Sequence, residues 1–175
     1  LSEYIKTLSE EEQKKGVVIS YDTRRNSRLF AEKAAGVLAK NGIKAYLFGD
    51  VHPVPMLSYA VRYLGTVAGI MITASHNPKE YNGYKVYGED GAQMSPEATK
   101  IVVGFIEKIT DYLSVTGDEK SPLIVPVPAE VDDTYIAELK KLTLSAEAVR
   151  KCGKDLKLVY TPVHGSGYVP VTRIL

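Results

Sequence analysis

Three short apolar runs separated by two helical patterns constrain the fold of this chain more than any other feature. The runs Val17–Tyr21, Ala45–Phe48 and Val67–Ile72 have the length and the apolar content of buried strands. Between them, Phe30–Leu38 and Met56–Tyr63 repeat apolar residues at helical spacing. Strands and helices that alternate at such short separations predict a parallel sheet with helices on its faces. The loops that follow the three strands should therefore share one rim of the sheet.

The chain continues with elements that complete one domain. Asn82-Gly83 leads into an expected strand at Tyr84–Tyr87, and Ser95-Pro96 is a typical helix start. The helix that follows carries an apolar stripe that extends to Leu113, and a short amphipathic helix is expected before Gly16. We therefore expect residues 1–113 to form a three-layer α/β/α domain of the α/β class, with a mixed, mostly parallel sheet of about four strands.

The last third of the chain has a different character. Residues 114–131 include three prolines, which predict an extended linker. Residues 132–175 predict two helices, then a strand at Leu156–Tyr160 and the first part of another helix. One strand and part of a helix bury too little apolar surface for a core of their own. We therefore expect this segment to be the truncated start of a second α/β domain, and the chain to be a fragment of a longer protein.

Composition narrows the classes of partner. The formal net charge is +1, from 22 Lys and Arg against 21 Asp and Glu, which gives no support for a nucleic-acid or membrane-surface partner. No apolar run approaches the roughly 18 residues that span a bilayer. Cys152 is the only cysteine, which fits a reducing compartment, and we expect a cytoplasmic protein.

The third apolar run ends in Thr73-Ala74-Ser75-His76-Asn77-Pro78, which places a hydroxyl, an imidazole and an amide on one loop. A serine hydroxyl needs a base or a charged neighbour to act as a nucleophile. Because adjacent residues rarely point at one another, and no Gly-x-Ser-x-Gly motif is present, we do not expect a hydrolase pair of Ser75 and His76. Lys85, on the returning strand, can instead stabilise a phosphate at the loop. From the residues alone, a polar loop that has no catalytic role is also an open alternative.

Three motifs resemble those of one enzyme family. Thr73–Pro78 together with Tyr81-Asn82-Gly83-Tyr84-Lys85 resembles the phosphoserine loop of the α-D-phosphohexomutases, the phosphoglucomutase/phosphomannomutase family. Tyr21–Ser27 resembles the turn after the family's first strand, and it best matches the branch of phosphoglucomutases that also handle phosphopentoses. Thr161–Gly167 is similar to the loop that opens the family's second domain. The resemblance extends from about Gly16 to the end of the chain.

The resemblance implies roles for individual residues. Ser75 would carry the phosphoryl group, and its phosphate would be one ligand of Mg²⁺. His76 would act beside it, and Lys85 would assist proton transfer and stabilise charge. The implied reaction interconverts glucose 1-phosphate and glucose 6-phosphate through a phosphoserine enzyme and glucose 1,6-bisphosphate. Phosphoryl transfer depends on positioning and on neutralising spread negative charge, which agrees with these residue types.

Several alternatives stay open. A phosphomannomutase, a phosphopentomutase or a non-catalytic paralogue that binds sugar phosphates would share the same motifs. No Asp-x-Asp-x-Asp segment of the family's metal loop occurs here, so we expect the isolated chain to be inactive without the remaining domains. Arg24 and Arg25 can contact a substrate phosphate, and Arg25 is our candidate, but a brace to Asp22 is an equal alternative. We expect His52 to be an ordinary loop residue and His164 to have a packing role.

Overall fold

The computed structural model describes all 175 residues. Five strands are present: β1 (Val17–Tyr21), β2 (Ala45–Leu47), β3 (Ala68–Ile72), β4 (Tyr84–Gly88) and β5 (Ile124–Pro126). Eight helices surround them: α1 (Ser2–Lys6), α2 (Glu10–Lys15), α3 (Ser27–Lys40), α4 (Val54–Leu64), α5 (Pro96–Ile106), α6 (Glu130–Lys141), α7 (Ala146–Cys152) and α8 (Tyr168–Ile174). A short 3₁₀ helix spans Tyr112–Ser114.

The five strands form one mixed sheet in the order β4-β3-β1-β2-β5. Strands β3, β1, β2 and β5 are parallel, and β4 pairs with β3 in the antiparallel direction. The central strand β1 places Ile19 opposite Ile70 of β3 and Leu47 of β2. The expected α/β architecture with a mostly parallel sheet is therefore confirmed.

Two apolar clusters lie on opposite faces of the sheet. One contains Ile19 and Ile70 of the strands with Leu38 of α3, and the other contains Val18 of β1 with Leu57 of α4. Every residue of β1 and β3 is buried, as expected for strands that are covered on both sides. Because helices occupy both faces, the carboxyl ends of the strands are where polar side chains can meet a ligand.

The sheet has one strand more than the sequence predicted. Strand β5 comes from the expected linker and pairs with β2, with Ala45 opposite Ile124. It is an edge strand, and proline is tolerated at an edge because its missing N–H can face the side that has no neighbouring strand. The residues before Gly16 also differ from the prediction, because they form two short helices, and Ser9 caps the second.

The predicted strand at Leu156–Tyr160 is wrong. These residues adopt no regular structure, and Leu156, Leu158 and Val159 are exposed. A strand requires a neighbour for its backbone hydrogen bonds, and none of the five strands lies beside this segment. The division into domains stays a prediction, although α6 contributes Val131 to the core beside α4.

Candidate active site

The loops after β1, β2 and β3 meet at one rim, as the strand order predicted. The amide of Asp22 donates to the carbonyl of Ile72 at 3.1 Å, which joins the first loop to the third. The amide of His52 donates to the carbonyl of Tyr21, also at 3.1 Å, and brings in the second loop. The polar residues that follow these strands therefore form one site.

The segment of residues 73–83, called the Ser75 loop below, leaves the core abruptly. Thr73 and Ala74 are buried, whereas residues 75–80 are exposed. Ser75 lies in a turn closed by a 3.1 Å hydrogen bond from the Asn77 amide to the Ala74 carbonyl. Its φ is +58°, a left-handed value that is uncommon for a residue other than glycine. The loop therefore projects the Ser75 side chain from a constrained backbone.

A glycine closes the base of this loop. The amide of Thr73 donates to the carbonyl of Gly83 at 3.0 Å. A Cβ atom at Gly83 would lie 2.7 Å from the carbonyl oxygen of Thr73, closer than real Cβ atoms approach. The Asn-Gly pair recognised in the sequence thus allows the two ends of the loop to approach each other.

The carboxylate of Asp22 connects the first loop to the Ser75 loop. One oxygen, Oδ1, accepts hydrogen bonds from the Arg24 amide at 3.0 Å and from the Ser27 hydroxyl at 2.8 Å. The other, Oδ2, accepts from the Thr73 hydroxyl at 2.6 Å. That hydroxyl oxygen in turn accepts from the Ser75 amide at 3.0 Å. A continuous chain of hydrogen bonds therefore runs from Asp22 to the backbone of Ser75.

The Arg24 side chain also holds the Ser75 loop in place. Its Nε lies 3.3 Å from Oδ2 of Asp22, and both side chains are largely buried. Its two terminal nitrogens donate to four backbone carbonyls of the loop, those of Ser75, Asn77, Pro78 and Tyr81. Of the two roles that the sequence left open for Arg24, the geometry supports the brace.

Ser75 and His76 contact each other, contrary to the sequence argument. The Ser75 Oγ lies 3.3 Å from the His76 Nδ1. In an extended strand, adjacent side chains point to opposite faces. Here the left-handed φ of Ser75 turns the chain between them, so that the two side chains converge on one side of the loop.

Lys85 lies on β4, the edge strand beside β3. It pairs across β3 and β4 with Met71, and residues opposite each other in an antiparallel pair project to the same face of the sheet. Met71 lines the cleft described below, whereas Lys85 does not. Lys85 is half-buried, and no hydrogen bond joins it to Ser75 or His76. Lys85 therefore lies on the same face of the sheet as Met71, without a hydrogen bond to Ser75, and its role stays a prediction.

An open cleft of about 920 Å³ lies in front of these loops. Its walls combine the first-strand turn, the Ser75 loop and the segment of residues 161–167, called the His164 loop below. Arg25 lines the cleft and is exposed, and its guanidinium makes no hydrogen bond within the chain. The packing role expected for His164 is wrong, because this residue is exposed and lines the cleft. Its backbone carbonyl accepts a hydrogen bond from the Thr23 hydroxyl.

His52 supports the rim rather than the cleft. Its Nδ1 faces the Asp50 carbonyl at 2.9 Å, and its Nε2 faces the two carboxylate oxygens of Asp132 at 3.0 and 3.1 Å. Burial disfavours the charged imidazole, but the hydrogen bonds to Asp132 and to the Asp50 carbonyl outweigh it and raise the pKa of His52. Because both ring nitrogens face acceptors, the protonated form satisfies both. His52 is therefore a loop residue whose side chain joins the rim to α6 through Asp132.

The sequence did not identify several residues that shape the site. Lys79 and Glu80 line the cleft, and Asp132 holds His52 although it lies 80 positions further along the chain. Local spacing carries no signal for contacts of that separation, since they depend on how α6 packs against the rim. The turn Asp22–Arg25 was recognised, but the number of bonds that Arg24 makes was not.

The side chains of this chain do not by themselves fit a magnesium site. No group of three or more His, Cys, Asp or Glu side chains is arranged to hold a metal ion. Mg²⁺ requires near-octahedral oxygen coordination, to which Ser75 could add a phosphate oxygen but not the remaining ligands.

Comparison with known proteins agrees with the motifs and the fold. Residues 2–113 match the family model described as phosphoglucomutase/phosphomannomutase, alpha/beta/alpha domain I. This chain therefore belongs to the phosphoglucomutase/phosphomannomutase family, and the matched residues are its first domain. No helix of the structure combines the length and the apolar character needed to cross a membrane.

Two curated relatives extend the similarity beyond that domain. A phosphoglucomutase of Staphylococcus epidermidis (strain RP62A) is 45% identical over 164 residues, which are 91% of this chain and 29% of the relative. A phosphoglucomutase of Staphylococcus aureus (strain USA300) is 41% identical over 162 residues, 91% of this chain and 28% of the relative. The chain thus spans less than a third of the length of these curated relatives.

Solved structures show the same fold. A crystal structure assigned to a phosphomannomutase from Thermus thermophilus matches with a TM-score of 0.66 and 28% identity, over 80% of this chain and 29% of the other. The open form of parafusin, a phosphoglucomutase from Paramecium, matches with a TM-score of 0.63 over 82% of this chain and 31% of the other. Its identity of 22% shows the fold alone.

Proposed function

We propose that this chain supplies the phosphoserine domain of a phosphoglucomutase, an intramolecular phosphotransferase that interconverts glucose 1-phosphate and glucose 6-phosphate. One observation carries the proposal. Ser75 is exposed on a braced loop at the mouth of a cleft of about 920 Å³, with its Oγ 3.3 Å from an imidazole nitrogen. A serine held in this way can carry a phosphoryl group and still meet a sugar phosphate.

The reaction returns the protein to its starting state. The Oγ–P bond of phosphorylated Ser75 breaks as an O–P bond forms to the free hydroxyl of the sugar phosphate, whose proton passes through a base to the departing Ser75 Oγ. The resulting glucose 1,6-bisphosphate reorients in the cleft. Its other phosphoryl group then moves to the Ser75 Oγ, whose proton passes through the base to the sugar oxygen that is released.

Three further residues have proposed roles. Lys85 projects from the face of the sheet that carries the cleft-lining Met71, and we assign it charge stabilisation and proton transfer. His76 contacts the Ser75 hydroxyl directly, so it can orient that hydroxyl or exchange a proton with it. Arg25 offers an exposed guanidinium without a partner in the chain, which suits a phosphate group of the substrate.

In this proposal Mg²⁺ would be bound only in part by this chain, and its remaining ligands would come from elsewhere. A phosphate on Ser75 would be one ligand, and when bound the cation would neutralise part of the charge on the transferring group. Glucose is the proposed sugar because both staphylococcal relatives are phosphoglucomutases. The Thermus neighbour is assigned to the phosphomannomutases, so assays of the complete protein should compare phosphates of glucose, mannose and pentose.

The test of this proposal uses the complete protein. Mass spectrometry should locate phosphate on Ser75, and Ser75→Ala should lower kcat by at least about 10³-fold, because the group that carries the phosphoryl is lost. Ser145→Ala is a matched control, since Ser145 is exposed and its side chain caps no backbone group. Phosphate found only at another residue, with Ser75→Ala fully active, would overturn the proposal. Residues 1–175 alone should show no turnover.

A further inference from the structure

All four N–H groups on the terminal nitrogens of the Arg24 guanidinium donate to carbonyls of the chain, and Nε forms an ion pair with Asp22. Arginine has five such donors in a fixed planar arrangement. Nε faces the Asp22 carboxylate at 3.3 Å. The terminal nitrogens donate to the carbonyls of Tyr81 at 3.0 Å, Ser75 at 2.9 Å, Pro78 at 2.8 Å and Asn77 at 2.6 Å. The four donors that could form a paired contact with a substrate phosphate are therefore already used within the chain.

The loop depends on this side chain because its own backbone offers few partners. Within residues 75–81 the backbone makes one internal hydrogen bond, from the Tyr81 amide to the Pro78 carbonyl, and Pro78 has no amide hydrogen. Four carbonyls instead converge on one cation. Hydrogen bonds to a charged donor are stronger than neutral ones, and the largely buried position of Arg24 increases that difference.

The backbone of Ser75 itself is held on both sides of its Cα atom. Its amide donates to the Thr73 hydroxyl at 3.0 Å, and its carbonyl accepts from Arg24 at 2.9 Å. A left-handed φ at a residue other than glycine persists where the surroundings fix it. Since Arg24 fixes one of the two peptide groups that define this conformation, it sets the direction of the Ser75 side chain.

We propose that Arg24 is a positioning residue, which sets the geometry of phosphoryl transfer by holding the carbonyls of the Ser75 loop and does not contact the substrate. This inference rests on the proposed function, since it assigns Arg24 a part in the same reaction. Lysine cannot replace it, because an ammonium group has three donors and no planar fork. Arg25, the next residue, has the same side chain but no partner, so the two should respond differently to the same change.

The experiment compares Arg24→Lys, Arg25→Lys and Arg28→Lys in the complete protein. Arg24→Lys should lower kcat by about 10²-fold with KM changed less than about threefold, because a displacement of about 1 Å is enough to slow transfer to that extent. Arg25→Lys should instead raise KM. Arg28→Lys is the control, since Arg28 pairs only with Glu32 on the surface of α3. Unfolding midpoints establish that the compared variants are folded.

Hydrogen exchange gives a second reading that does not depend on turnover. In Arg24→Lys, the peptides that cover residues 75–81 should exchange about tenfold faster, whereas those of β1 should not change. If Arg24→Lys fails to fold, the unaltered protein still tests the proposal, because its Asn77 and Tyr81 amides should exchange more slowly than those of Val163 and Gly165. Equal exchange in the two loops would overturn the proposal.

The remaining outcomes separate this proposal from the one on which it rests. Full kcat in Arg24→Lys, beside an inactive Ser75→Ala, overturns the positioning role alone. A raised KM with unchanged kcat in Arg24→Lys also overturns it, because that pattern indicates contact with the substrate. Absence of mutase activity in the unaltered protein, with the expected exchange pattern, refutes the proposed function but supports Arg24 as the residue that holds the loop.

Discussion

The Ser75 loop and the His164 loop line the same cleft, and both contain a residue other than glycine with a positive φ. For Ser75 that angle is +58°, and for Val163 it is +52°. The Ser75 loop is fastened to the rim through Asp22, Arg24 and Thr73. By contrast, a single hydrogen bond, from the Thr23 hydroxyl to the His164 carbonyl, joins the His164 loop to the rim. Its other hydrogen bonds lie within the loop or, in the case of the Gly167 carbonyl, join it to the first turn of α8.

The difference shows where the geometry of each wall comes from. The first wall takes its shape from the sheet, because Asp22 and Thr73 directly follow β1 and β3. The second wall precedes α8, which is tied to α6 by an ion pair of 2.5 Å between Arg173 and Asp133. Helix α6 in turn is held to the rim by His52 and Asp132. Ser75, the proposed carrier of the phosphoryl group, therefore lies on the wall with more support.

Removing the carboxylate of Asp22 should have the largest effect on this contrast. Asp22→Ala leaves Arg24 without its counter-ion and two hydroxyls without an acceptor in a largely buried position. We expect the free energy of unfolding to fall by about 3 kcal/mol, measured by urea denaturation. Asp155→Ala, at an exposed residue without a partner, is the control and should change it by less than about 0.5 kcal/mol. A loss below about 1 kcal/mol for Asp22→Ala would show that the first wall does not depend on this residue.

The part of the molecule that could be predicted from sequence is the part encoded by local patterns. The runs Val17–Tyr21 and Val67–Ile72 are continuous and apolar because both faces of the sheet are covered, and they gave the correct strands and the shared rim. Ser75 was recognised because its motif is contiguous. Strand β5 was missed because three prolines indicate an extended linker, and an edge strand with proline has the same composition.

The contacts that organise the site could not be predicted in the same way. The side-chain contact between the Ser75 hydroxyl and the His76 imidazole depends on the left-handed φ of Ser75, which no propensity assigns to a serine. The apolar run at Leu156–Tyr160 has the composition of a strand but no partner strand beside it. Arg24 and Arg25 are indistinguishable in sequence. Only the path of the Ser75 loop, which brings carbonyls such as that of Pro78 to Arg24, decides which arginine uses its donors within the chain.

The support of α6 should depend on pH, whereas the Arg24 brace should not. The pKa of His52 is raised, so the stabilisation from its pairing with Asp132 is complete below about pH 6.5 and is lost as pH rises through the folded-state value. Asp132→Asn should therefore cost about 1.5 kcal/mol at about pH 5.5 and less than about 0.5 kcal/mol at about pH 8.5, measured by denaturant unfolding at both values.

Asp133→Asn is the control for that measurement. Asp133 pairs with Arg173, which stays charged at both values of pH, so its cost should be the same in both conditions. An Asp132→Asn cost that does not change with pH would show that His52 does not change its protonation state across this range, contrary to the prediction.

The smallest expected effect is at Thr23, the one link between the His164 loop and the rim. Thr23→Val removes the hydroxyl that donates to the His164 carbonyl, but both residues are exposed, so water can replace the lost bond. We expect a stability change within about 0.5 kcal/mol, together with faster hydrogen exchange confined to residues 161–167. Thr23→Ser keeps the hydroxyl and should exchange like the unaltered protein. Faster exchange in the Ser75 loop as well would show that the two walls are coupled, because the structure contains no hydrogen bond between them.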